Sequence, residues 1–227
     1  MRFLLTFVIS LSLIGCSTLP NNANQDNAEL ALKLIHAKRY NLAKRALILA
    51  QAQDPNSNLV VVAKAYYNDA IGRPKQAKNL LKHLILQAPK QPNIISIYAE
   101  LLCKYGQAQR GLKYFQQALK LDTNLQPGAT YQDAALCALK LHGFNLAKNY
   151  FQQAVDNNPA LAQSYYQLAL ITYREHRYKT AQDNIEIYYQ HIAKPSRSKL
   201  RLGIEIAERL HDGDTAATLQ LQLNSDL

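Results

Sequence analysis

"LAKRALILAQAQDP" (residues 42–55) and "GLKYFQQALKLD" (residues 111–122) place their apolar residues three and four apart, the spacing of one helix face. In the first, Ala43 stands four residues ahead of Leu47; in the second, Gly111 stands four ahead of Phe115. The same pairing recurs at Ala77 and Leu81, Ala147 and Phe151, and Ala181 and Ile185. Successive units are 34 residues apart, except for a step of 36 between Gly111 and Ala147. Twelve residues before each small position comes another: Ala31, Ala65, Ala99, Ala135 and Ala169. A period of this length marks one supersecondary unit, repeated because a single copy cannot bury its own apolar face.

Each unit reads as two antiparallel helices. Small residues are required where helix axes approach to about 8–10 Å, and a larger side chain there overpacks the contact at roughly 1–3 kcal/mol. Gly111 meets that need at about 1 kcal/mol of helix propensity against Ala. Pro55, Pro89 and Pro159 punctuate the units, with Thr123 in the corresponding place of the third and "QPG" (126–128) supplying a turn near the offset. Pro suits the first turn of a helix and not its interior, so these prolines are expected to end one unit and open the next. "NLVVVAKAYY" (58–67) falls where a first helix must lie and is read as helix, not strand.

The period and the small positions resemble the tetratricopeptide repeat over residues 27 to about 192. The Trp usual in that repeat is replaced by Asn27, Val61, Ile95, Tyr131 and Tyr165. "SRSKLRLGIEIAERLHDGDTAATLQLQL" (196–223) reads as a degenerate sixth unit that aligns Ala216 with the small position and caps the stack. The resemblance implies an all-α fold, a superhelical solenoid of about six helix-turn-helix repeats. The predicted organisation is 28–192 for five repeats and 193–227 for the sixth.

The chain begins differently. Met1-Arg2 precedes the apolar run "FLLTFVISLSLI" (3–14), twelve residues long, where a membrane-spanning helix needs about 20. A short charged start, an apolar stretch and small residues at a cut describe a secretory signal. "LIGC" (13–16) resembles the bacterial lipobox, which implies cleavage before Cys16 and acylation of its thiol; the alternative is an ordinary signal peptide with a chance Cys. In lipoproteins Asp after the acylated Cys retains the protein in the inner membrane. Ser17 stands there, implying the outer membrane, facing the periplasm. Residues 1–15 are thus predicted as signal peptide. Residues 16–27 are predicted as a lipidated, flexible tether, since "STLPNNANQDN" (17–27) has too little apolar surface to offset the entropy lost on ordering. Two acyl chains suffice for stable anchoring.

The formal charge is +10, or +9 once Arg2 is removed. A basic chain invites a nucleic-acid reading, but export argues against it, and Lys and Arg are dispersed along the sequence. A solvated basic face, or attraction to an acidic partner or the anionic envelope, explains the charge instead. Besides Cys16, the cysteines are Cys103 and Cys137, one period of 34 apart and each on the first helix of its unit. In an oxidising compartment they can bridge; the other reading is two buried thiols behaving as small hydrophobes.

No HExxH, GxSxG, CxxC or phosphate-loop pattern is present. His36, His83, His142, His176, His191 and His211 form no i, i+4 pair and read as surface or inter-helix residues, not metal ligands. Neither catalysis, a cofactor, a metal nor a small-molecule substrate is expected. Binding is. The first helices of such repeats line a groove, and by this register Tyr66, Asp69, Glu100, Lys104, Tyr166 and Tyr173 face it, unless they pack between helices. Tyr offers a large contact area with one polar end.

"YAELLCKYGQAQRGLKYFQQAL" (98–119) and "DAALCALKLHGFNLAKNYFQQAV" (133–155), with the lipobox and the short tether, resemble the type IV pilus biogenesis and stability lipoproteins. Ala99 and Ala135 stand where that family often has Gly, and Gly111 replaces its Ala. The resemblance implies a pilotin, which binds subunits of the outer-membrane secretin and promotes their localisation and assembly. Two other classes share an anchor and this fold: a general envelope scaffold docking peptidoglycan enzymes, and an assembly factor for outer-membrane β-barrels.

Overall fold

The computed structural model describes residues 22–225, and Cys16 lies outside them. Twelve helices account for the described residues, in six consecutive pairs: α1 (Asn22–His36) and α2 (Tyr40–Gln53), α3 (Asn58–Ala70) and α4 (Pro74–Gln87), α5 (Pro92–Lys104) and α6 (Ala108–Leu119), α7 (Pro127–Leu139) and α8 (Phe144–Asn157), α9 (Ala162–Arg174) and α10 (Tyr178–His191), α11 (Arg197–Arg209) and α12 (Gly213–Ser225). The chain divides into two compact units at Ala63 and Lys64, so α3 begins in the first and ends in the second. Among the described residues no helix is long and apolar enough to cross a membrane.

In the first unit α1 packs on α2, and Ala28, Ala50 and Val60 are buried together. Helix α1 starts at Asn22, inside the stretch 16–27 expected to be a flexible tether. Ala28 is fully buried, and a helix needs a turn of backbone ahead of its first packed residue. That turn is supplied by polar residues which composition alone assigns to a spacer. Asn27 adds a side-chain hydrogen bond, its amide donating to Gln53 Oε1 at 3.3 Å.

The second unit holds the larger core. Cys103, Phe115, Ala135, Cys137, Phe151 and Ile171 belong to one buried cluster spanning α5 to α9. The small positions behave as close helix contacts require: Ala77, Ala99, Ala135, Ala147, Ala169 and Ala181 expose nothing. Ala216 departs from them and is half-buried; in α12 Leu219 and Leu223 make the contact instead. The prolines also differ from expectation. Pro55, Pro89 and Pro159 sit in inter-unit turns, each three residues ahead of a helix, while Pro74, Pro92 and Pro127 occupy first helical positions.

Within every pair the connection has one form. A left-handed residue follows the first helix: Lys38, Gly72, Gly106, His142, His176 and His211, with φ between 55° and 78°. The next N–H returns to the carbonyl five residues back, as in Arg73 to Asn68 at 2.7 Å and Asp212 to Ala207 at 2.9 Å. This is the Schellman closure, which satisfies carbonyls that a helix end leaves open. Half of the histidines are therefore turn residues, a role their scatter in the sequence does not reveal.

A cleft between the first helices

Three first helices of the second unit, the α3 end, α5 and α7, present one face to a cleft of about 350 Å³. Its walls include Tyr66 and Asp69 from α3, Ile97, Glu100 and Lys104 from α5, and Asp133, Leu136 and Lys140 from α7. It continues into a second hollow of about 620 Å³, toward the turn before α5 and the α6–α7 turn. Tyr66, Ile97, Glu100 and Asp133 line both.

The helices are held in place beneath the cleft by covalent and steric means. Cys103 of α5 and Cys137 of α7 are joined Sγ to Sγ, with Cα atoms 5.5 Å apart. Gly111 of α6 lies directly under the bridge: a Cβ there would collide with Cys103 Sγ and stand 2.8 Å from the Ala99 carbonyl oxygen. The exchange of Ala for Gly at this repeat position thus has a local cause, the room a sulfur needs.

Charges along the cleft are sorted. At one end Lys104 Nζ donates to Asp69 Oδ2 at 2.6 Å and Tyr105 Oη donates to Asp69 Oδ1 at 2.7 Å, so both carboxylate oxygens are engaged. The hydrogen bond to Asp69 raises the Lys104 pKa and keeps the ammonium charged. Midway, Glu100 and Asp133 enter no ion pair among the described residues. Burial pushes the Glu100 carboxyl up to about 7, helped by repulsion from Asp133. Asp133 rises to about 6, again through burial. Glu100 keeps exposed surface, yet the concave walls strip water from its carboxyl, which is how an open residue comes to be desolvated. Tyr66 is pushed well above its ordinary value by burial and then by Glu100, Asp133 and Asp69, so its hydroxyl stays protonated and able to donate.

Four of the six groove residues read from the register, Tyr66, Asp69, Glu100 and Lys104, therefore share one cleft. Tyr166 and Tyr173 do not. On α9, Tyr166 lies 5.8 Å from the Tyr188 ring and has Lys199 Nζ 4.9 Å above it. Tyr173 lies 5.6 Å from the Tyr178 ring. Both pack beside the α9–α11 core, with a neighbouring ring against each and Lys199 over Tyr166. Asp133, Leu136 and Lys140 were not among the residues read from the register. The 36-residue step that carries Glu100 to Leu136 and Lys104 to Lys140 would have found two of them, and Asp133 lies one turn before Leu136 on the same helix face.

No family model matches the sequence. The chain is 24% identical over 98% of its length to the type IV pilus assembly protein PilF of Pseudomonas aeruginosa, covering 92% of that protein. Among solved structures, one from a functional characterization of Pseudomonas aeruginosa PilF superposes with a TM-score of 0.78 at 22% identity, over 90% of this chain and 92% of that one. PilW, described as a widely conserved type IV pilus biogenesis factor, gives 0.75 at 20% identity over 91% and 94%. A thermophilic TPR protein of Thermus thermophilus gives 0.63 at 17% identity over 82% and 98%. The paired helices and these likenesses define an all-α tetratricopeptide-repeat protein. Within that class, the chain is similar along nearly its whole length to a type IV pilus assembly protein.

Proposed function

We propose that the chain is a pilotin: an outer-membrane lipoprotein, anchored by acyl chains at Cys16 and facing the periplasm, that binds secretin subunits and promotes their assembly into the pore of a type IV pilus. The observation that carries this reading is the 24% identity over 98% of the chain to a type IV pilus assembly protein. The "LIGC" stretch supports the anchor, and the cleft between α3, α5 and α7 supports a binding role. Function then has two linked parts. The repeats capture a segment of a secretin subunit, and the lipid confines each captured subunit to one surface. Confinement turns later subunit encounters into reactions at high local concentration.

Affinity capture of the lipidated chain from detergent-solubilised envelopes, read by mass spectrometry, tests the partner. Secretin as the main specific partner supports the reading. Recovery of peptidoglycan hydrolases or of β-barrel assembly components without secretin overturns it in favour of one of those classes. Cys16→Ala tests the anchor: the variant should fold and bind, yet leave secretin unassembled at the outer membrane. Normal secretin multimers with that variant would remove the tether from the mechanism.

A further inference from the structure

We propose that the cleft between α3, α5 and α7 binds an extended segment of a partner protein through one Lys or Arg side chain, which enters between Glu100 and Asp133. The inference rests on the binding role proposed above and specifies its chemistry. The overall charge of the protein, +10, would predict an acidic partner; the lining of the cleft points the other way.

Four observations converge. First, Glu100 and Asp133 line the shared part of the two hollows, repel each other and have no ion-pair partner among the described residues. A cation placed between them relieves that repulsion and restores lost solvation. Second, the walls around the carboxylates suit an organic cation on an apolar stem. Ile97, Leu136 and the Tyr66 ring flank the carboxylates and suit the methylene stem of a Lys or Arg. Third, the site continues as a channel. The second hollow adds Asn93, Ser96, Thr123 and Asn124, and Ser96 Oγ is buried without a hydrogen-bond partner. The amides of Asn93 and Asn124 and the hydroxyl of Thr123 suit the backbone of an extended chain laid along this hollow. Fourth, direction is set. Lys140 stands at the C-terminal end of α7 and repels a second cation, and Asp69 is already paired with Lys104. The basic side chain must therefore arrive from the Ser96 side.

The test uses the full chain purified in detergent and four libraries of random nonapeptides that differ only in a fixed central residue: Arg, Lys, citrulline or Glu. Fluorescence anisotropy should show the Arg and Lys libraries binding roughly tenfold more tightly than citrulline, with Glu weakest. In the Glu100→Gln/Asp133→Asn variant, shown to be folded by circular dichroism, that preference should collapse while residual binding persists. Equal binding of Arg and citrulline, or an unchanged preference in the variant, overturns the proposal. Envelope capture with the same variant separates this inference from the functional reading. Secretin captured equally by wild type and variant ends the cleft proposal and leaves the pilotin reading intact. Discrimination among peptides with no secretin captured keeps the cleft chemistry and ends the pilotin reading.

Discussion

Glu100 and Asp133 work against the fold that holds them. The folded Glu100 carboxyl keeps its proton up to about pH 7, against an ordinary value of 4.5, so between those values the folded protein binds more protons than the unfolded chain. The stabilising contribution is therefore complete below about 4.5 and lost as pH rises through about 7. Asp133 behaves likewise between 3.8 and about 6. Tyr66, Asp69, Lys104 and Lys140 surround the pair, but the ion pair of Asp69 with Lys104 leaves neither carboxylate compensated. Glu100→Gln should raise the thermal midpoint at pH 8, with the gain shrinking toward pH 5. A gain that is constant across that range would show that the carboxyl is not desolvated. Stability forgone at a binding site is a common trade. At Gly111 the direction is opposite. Gly111→Ala adds helix propensity but drives a methyl into Cys103 Sγ and the Ala99 carbonyl, so a net loss of about 1–3 kcal/mol is expected in denaturant melts. Part of that loss should disappear in a background lacking both cysteines, because the sulfur is half of the obstruction.

At the scale of helices and turns, the repeat was readable because close packing of axes forces small residues into fixed places. Ala31, Ala99, Ala135 and Ala169 announce four first helices by that rule, and all are fully buried. The turn geometry was not readable, since the left-handed position is filled by Gly in two units, Lys in one and His in three. No single residue type marks it, and backbone hydrogen bonds define it. That conformation costs a non-Gly residue roughly 1–2 kcal/mol, offset by the larger entropy that Gly loses on folding. His142→Gly should accordingly stabilise the α7–α8 pair by up to about 1 kcal/mol, measurable as a higher denaturation midpoint. His176 is a poorer choice, because its Nδ1 lies 2.8 Å from the Tyr178 hydroxyl. The cleft was half legible for a related reason. Register placed Tyr66, Asp69, Glu100 and Lys104 on facing first helices, but it treats all units alike. On α9 the neighbouring aromatic residues of α10 and Lys199 of α11 cover the tyrosine faces instead.

For the molecule as a whole, stability is distributed among neighbouring repeats, and the bridge between Cys103 and Cys137 concentrates part of it. Closing a loop with a sequence separation of 34 contributes about 3–4 kcal/mol in the chain-entropy treatment. The Cys103→Ala/Cys137→Ala variant should lose about that much, and hydrogen exchange in α5, α6 and α7 should accelerate more than in α10 or α12. Uniform acceleration in every helix would mean that the repeats open together and that the bridge has no local reach. The bridge also has a mechanical meaning. If a bound partner is pulled while the N-terminal end is held, a series of helix pairs lengthens by unravelling one pair at a time. The bond shunts tension across the residues between its two ends, withholding roughly 115 Å of extensible chain and sparing α6 and most of α7. Load would then draw chain from the flanking repeats first, the α3 wall of the cleft among them, and the α7 wall with Asp133 would be the last to slacken.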